Sequence, residues 1–172
     1  MVALSSCTEL SDYEHQQVKE ALQDSLLSAT ESWDINMNII ESGNKVINLT
    51  GTHAKSYTVD KKRETHIAGP VKIKVFDDST GSVKTHVTCN RAIYRSEDEE
   101  FELFGDVYVK NRGGRTLRSE YLKWNRDKNK VSTPDFVRIT TPSDSISGKG
   151  FNGTVDLTEY KIKKVTGQVT ID

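Results

Sequence analysis

EEFELFGDVYVKN, residues 99–111, alternates apolar and polar positions straight through an internal glycine. Phe101 and Leu103 precede Gly105, and Val107 and Val109 follow it in the same phase. Period-two alternation is the mark of a strand with one buried face. A glycine inside such a strand marks a bulge or a sharp bend. Acidic residues stand at one end of the stretch, and Asn111-Arg112-Gly113-Gly114 forms a turn signal at the other.

The pattern recurs along the chain. Gly69-Pro70 leads into Val71 and Ile73, Pro134 into Phe136 and Val137, and Gly167 into Val169 and Ile171. Each punctuation point follows a strand ending near an aromatic, a polar turn and a second strand. The turns are read at Val59–Arg63, Ser96–Glu99, Asn125–Asn129 and Lys161–Lys164. Earlier, Trp33, Ile35, Met37 and Ile39 alternate with polar residues, then Ser42-Gly43-Asn44 marks a turn. Val71, Ile73 and Val75 alternate with lysines before the turn at Asp77–Gly81, and Val87 and Cys89 share a phase beyond it. Repeats of this size are built from one supersecondary unit. Bends at Gly69, Gly105, Pro134 and Gly167 would fold a meandering sheet over itself along one line. The expected fold is all-β, an open, twisted, V-shaped roll of two walls with an apolar stripe inside.

Composition agrees with a thin sheet. Only 34% of the 172 residues are hydrophobic, and 24 basic residues balance 25 acidic ones. That balance argues against a general nucleic-acid binder, which needs a basic stripe. The two cysteines have no C-x-x-C spacing and the four histidines are scattered, so neither a metal nor a cofactor is expected. Gly148-Lys149-Gly150 lacks the strand-then-helix setting of a phosphate loop. Glu97–Glu100 could supply paired carboxylates, but a solvated turn is the simpler reading. Arg112, Arg115 and Arg118, with Lys161, Lys163 and Lys164, could meet lipid phosphates or simply occupy exposed strand ends.

The beginning of the chain reads differently. Leu4-Ser5-Ser6-Cys7 matches a lipobox, in which small residues precede a cysteine that receives lipid. Residues 1–7 are therefore expected to be the remnant of a lipoprotein signal, with Cys7 as the lipidation site. Ser11-Asp12-Tyr13-Glu14 suggests a capping box. Val18, Ala21, Leu22, Leu26 and Ala29 then keep helical spacing, which predicts a short N-terminal helix over about 12–30 within a tether spanning 8–32. The β-domain is expected over 33–172. No run of 18 apolar residues occurs, so the lipid would be the anchor.

FGDVYVKNRGGRTLRSEYLKWNRDKNKV, from Phe104, and FVRITTPSDSISGKGFNGTVDLTEYKIKKVTGQV, from Phe136, together resemble the LptC family of lipopolysaccharide-export proteins. More distantly they are similar to LptA and OstA-type domains. The resemblance covers roughly 33–172. It rests on Gly105-x-Val107-x-Val109, on Leu122-x-Trp124, on a turn at Gly148, Gly150 and Phe151, and on Tyr160-x-Ile162 with Gly167. It implies a β-jellyroll whose groove takes the acyl chains of lipopolysaccharide. It also implies a transporter of LptF/LptG type upstream, an LptA-like bridge downstream, and residence on the periplasmic face of the inner membrane of a Gram-negative bacterium. Where enterobacterial-type members carry an uncleaved N-terminal helix, this chain presents a lipobox.

The groove would be lined by Ile35, Met37, Ile39, Val71, Ile73, Val87, Phe101, Leu103, Val107, Val109, Val137 and Ile139, continued by Val169 and Ile171. Free strand edges invite strand addition. The C-terminal edge, Val165–Ile171, is expected to receive the bridge, and the N-terminal edge, Trp33–Ile40, the transporter. The function expected is non-enzymatic lipopolysaccharide transport. The alternative is an assembly protein that uses its edges and carries no lipid.

Overall fold

A computed structural model describes residues 29–59 and 62–170. Cys7 and nearly all of the expected helix lie outside them. The described chain forms nine strands: β1 (Ala29–Glu41), β2 (Asn44–Val59), β3 (Lys62–Phe76), β4 (Val83–Arg95), β5 (Glu100–Asn111), β6 (Thr116–Asn125), β7 (Lys130–Thr140), β8 (Asp144–Gly153) and β9 (Tyr160–Thr170). Every neighbouring pair is antiparallel, and the sheet order is β1 through β9 without crossover or closure. The fold is the expected all-β open roll. β1 starts at Ala29 rather than Trp33, because β2 is long enough to pair its Ala54–Tyr57 with Ala29–Ser32.

The register explains how one sheet makes two walls. Phe104 pairs with Arg91 and Tyr108 with Thr88, so Gly105 and Asp106 oppose the single residue Asn90. The same slip recurs on β3 between Ala68 and Val71 and on β7 between Thr133 and Phe136. Two residues against one is a β-bulge, which bends the strand and sharpens its twist. Gly69, Gly105 and Pro134 sit in these slips, while Gly167 borders the slip that leaves Thr166 unpaired. The odd strands thus hold their inward phase across the bend: Phe101 and Leu103 are buried before it, Val107 and Val109 after it. β4 shifts by one, with Val87 and Cys89 buried before the bend and Ala92 after it.

Gly105 has φ +73° and Asp106 φ +45°. A side chain on Gly105 would meet Asn90 Nδ2 at 2.7 Å. Both conformational freedom and space demand glycine here.

Two turn assignments change. Gly148, Gly150 and Phe151 lie inside β8, not in a turn. Gly148 is needed because β9 passes so close that a Cβ would come 2.2 Å from the Lys164 carbonyl oxygen. Lys161–Lys164 belongs to β9, and the real turn precedes it at Thr154–Glu159. There Asp156 Oδ1 accepts from Thr154 Oγ1 (2.6 Å), Thr158 Oγ1 (2.8 Å) and Thr158 N (3.2 Å), while Val155 and Leu157 turn inward and are buried.

The outer face of the wall formed by the first halves of the odd strands is laced by ions. Arg95 bridges Glu64 (2.8 Å), Glu100 (3.4 Å) and Glu102, and Lys123 reaches Glu100 at 2.8 Å. Tyr121 donates to Glu102 at 3.1 Å, and burial together with the Glu102 charge pushes its phenol up to about 12. The carboxylates weighed for catalysis are engaged here in structural contacts. Glu100 takes these cations, and Glu97 accepts from the Arg63 backbone N–H at 2.9 Å.

Candidate functional site

The interior between the walls is one apolar cluster. Val71, Ile73, Val87, Phe101, Leu103, Val107, Val109, Val137 and Ile139 face it and are at most 2% exposed. Phe101 is stacked between Tyr94 (4.4 Å between ring centroids) and Trp124 (5.1 Å). Ile35, Met37 and Ile39 are only partly buried against the cluster, as are Tyr160 and Ile162 at the other end. These half-covered residues belong to β1 and β9, the edge strands of the sheet that the described residues form. Alternation also placed Ile47, Leu49, Ile67, Leu117, Leu122 and Val131 inside, although they were not among the predicted groove residues.

The mouth of the roll lies where the hairpin turns of the two walls face each other. Two contacts span it. Arg126, in the β6–β7 turn, pairs across the mouth with Glu41 at the end of β1 and, on its own rim, with Glu99 of the β4–β5 turn at 2.9 Å. Asn111 Nδ2 donates to the Asp156 carbonyl oxygen (2.7 Å) and Arg115 Nη1 to that of Leu157 (2.9 Å), which seats the β8–β9 turn as a plug. A cleft of about 400 Å³ stands in the mouth; Glu41, Asp78, Lys84, Glu99, Arg126, Asp127 and Asn129 line it together with Val46, Ile47, Val75, Phe76, Trp124 and Val155. Trp124 Nε1 and Arg126 Nε are buried donors without a hydrogen-bond partner among the described residues, although buried donors are rarely left so. Sequence reasoning missed the mouth because its contacts join turns far apart in the chain, and turn charges read as solvated.

Among the predicted cationic candidates, Arg115 holds the plug. Arg112 binds the β3–β4 turn through the Val83 carbonyl oxygen at 3.1 Å. Cys89 is a free, buried thiol whose pKa burial pushes up to about 11. Among the described residues no group of His, Cys, Asp and Glu could hold a metal ion. No helix among them is long and apolar enough to cross a membrane, which says nothing of β-barrels.

An unclosed antiparallel roll with an apolar interior, a cleft at its mouth and, among the described residues, β1 and β9 as its edges is an open β-jellyroll. A family model described as lipopolysaccharide-assembly, LptC-related, matches residues 1–170, nearly the whole chain. The chain belongs to the LptC family, whose members act in lipopolysaccharide transport and are periplasmic and associated with the inner membrane. No curated protein sequence matches it.

Proposed function

We propose that this protein carries the acyl part of lipopolysaccharide in the interior of the roll. It takes the lipid from an inner-membrane transporter at the β1 edge and passes it to an LptA-like bridge at the β9 edge. The observation that carries this reading is the mouth cleft, where charged side chains meet the rim of the apolar interior at Val46, Ile47 and Val75, and whose lining includes Trp124 and Arg126 with their unpartnered donors. An acyl chain of about a dozen CH₂ groups costs roughly 10 kcal/mol in water and recovers part of that once the walls open beside Val46, Ile47 and Val75, which are buried in the closed roll. The ester or amide carbonyl at its head is the acceptor that Trp124 and Arg126 lack. Handover along the edges uses strand addition, for which exposed Trp33 (68%) and Ile40 (55%) on β1 and Val165 (58%) on β9 supply apolar contacts. Cys7 is the lipidation site, and the link to the membrane ends before Ala29, where β1 begins.

A second reading is favoured by the packing. The predicted groove residues on β3, β4, β5 and β7 seal against one another, as they would in an assembly protein without cargo. Loading therefore requires the walls to part. A photoreactive residue at Ile47 or Val75, with lipopolysaccharide and the energised transporter, separates the two. Adducts at these cleft positions support transport. Their absence at both, in a protein that still joins its partners, leaves the assembly role.

A further inference from the structure

The two outer faces of the roll differ in charge, and the register makes the difference explicit. On the wall made by the second halves of the odd strands, Lys74 of β3 stands opposite His86 of β4, which stands opposite Lys110 of β5. One row away Arg118 of β6 stands directly opposite Arg138 of β7, and Lys72 lies two residues before Lys74. All six are exposed. Across β1 to β8, the residues paired into these two rows are otherwise Asn, Thr, Ser and Tyr, with no carboxylate. The nearest acids sit at the margin: Asp34, Asp106, Glu120 and Asp135 on the bend line, the last three lining a hollow with Arg118 and Arg138, and Asp106 3.6 Å from Arg118. Lys72, Lys74, Lys110 and Arg138 have no carboxylate partner among the described residues. The other wall carries Glu64, Glu100 and Glu102 in ion pairs with Arg95 and Lys123.

Like charges directly opposite across strands destabilise a sheet. A face that keeps them has a use for the field they create. We infer that this wall lies on an anionic phospholipid surface. With strands roughly 4.8 Å apart the patch spans the five strands β3 to β7, or about 19 Å. That shape suits an extended charged plane rather than a single ligand. It lacks the apolar, lysine-poor centre of a stable protein interface. Juxtamembrane Lys and Arg clusters are attracted to anionic leaflets over about a Debye length. The family's association with the inner membrane puts such a surface within reach. Lying on this wall, the roll keeps its edge strands along the membrane plane and its mouth clear of the lipid. The inference stands apart from the cargo reading and does not need the interior to hold lipid.

The test is vesicle flotation of the full chain carrying Cys7→Ser, which removes any acyl anchor. Phosphatidylcholine–phosphatidylglycerol vesicles are compared with phosphatidylcholine alone. Binding is expected only to the anionic vesicles and should vanish at high salt. The triple variant Lys72→Glu, Lys74→Glu, Lys110→Glu should bind about a hundredfold more weakly. Lys128→Glu, Lys130→Glu, Lys161→Glu carries the same net charge on other exposed positions and should bind as the parent does. Arg138→Gln adds a readout on folding, because relief of its repulsion with Arg118 directly opposite should raise the midpoint of unfolding. Equal binding to neutral vesicles, no binding at all, or equal loss in both triple variants overturns the inference. So does retention by the soluble sugar-phosphate part of lipopolysaccharide at this wall without binding to phosphatidylglycerol.

Discussion

The Arg126 guanidinium and the Glu41 carboxylate join opposite rims of the roll, one at the β6–β7 turn and the other at the end of β1. Arg126 is only 12% exposed, and burial draws its pKa below the usual guanidinium value. Glu41 and Glu99 are half exposed, so each pair alone contributes no more than about 1 kcal/mol. Arg126→Ala should therefore cost about 1–2 kcal/mol in urea unfolding, mostly through lost packing of its stem. Its larger effect should be on access: an environment-sensitive apolar dye should bind the variant more tightly and faster. Unchanged dye binding in a folded variant would show that the latch does not govern the cleft.

Gly105 and Gly43 separate conformational strain from crowding. Both have positive φ, +73° and +82°. A Cβ at Gly43 meets nothing within 4 Å, whereas at Gly105 it meets the Asn90 side chain. Gly43→Ala should cost about 1 kcal/mol, the left-handed penalty alone. Gly105→Ala should cost about 2–3 kcal/mol, because Asn90 must also move. Pairing it with Asn90→Ala should recover part of the loss, measured as a double-mutant cycle in denaturant.

Phe101 anchors an aromatic stack rather than a vacant groove. It is fully buried between Tyr94 and Trp124. Phe101→Ala should cost about 3–5 kcal/mol and threaten folding. A probe at Phe101 would therefore report on packing, and cargo is better sought at Ile47 and Val75. Near-ultraviolet circular dichroism should lose its Trp124 signal in Phe101→Leu while the far-ultraviolet signal remains.

Residues with a local signature were legible in the sequence. Val107 and Val109 keep phase with Phe101 because a two-residue bulge preserves alternation, and Gly105 announces the bulge. Ser42-Gly43 and Asp77–Gly81 are turns whose residue types are their mechanism. The β8–β9 turn was misplaced because Val155 and Leu157 alternate like strand residues, although they are buried from a turn. Gly148 and Gly150 read as a turn because close strand approach and chain reversal both call for glycine. The mouth was illegible for another reason. Glu41 with Arg126, and Arg115 with Leu157, meet only because the bends bring the rims together. No spacing in the sequence encodes that. The basic wall was half visible, in the lysines alternating with Val71, Ile73 and Val75, but needed the register of β3 to β7 to become a patch.

Asp77 makes the β3–β4 turn sensitive to acid. Its carboxylate accepts from Ser79 Oγ (2.6 Å), Thr80 N (2.9 Å), Thr80 Oγ1 (3.0 Å) and Ser79 N (3.1 Å). Led by the Ser79 hydroxyl, these donors lower its pKa from 3.8 to about 2. A carboxylate depressed on folding stabilises the native state fully above its unfolded pKa. That stabilisation disappears as pH falls through the folded value. The advantage of the parent over Asp77→Ala should thus be constant at neutral pH, decline below about 3.8 and be gone near 2. Parallel urea titrations across that range measure the gap. Because the turn is exposed, the effect should be small and local, seen first as faster amide exchange at Ser79 and Thr80. A gap that widened with acid would mean that the protonated form, not the carboxylate, holds the turn.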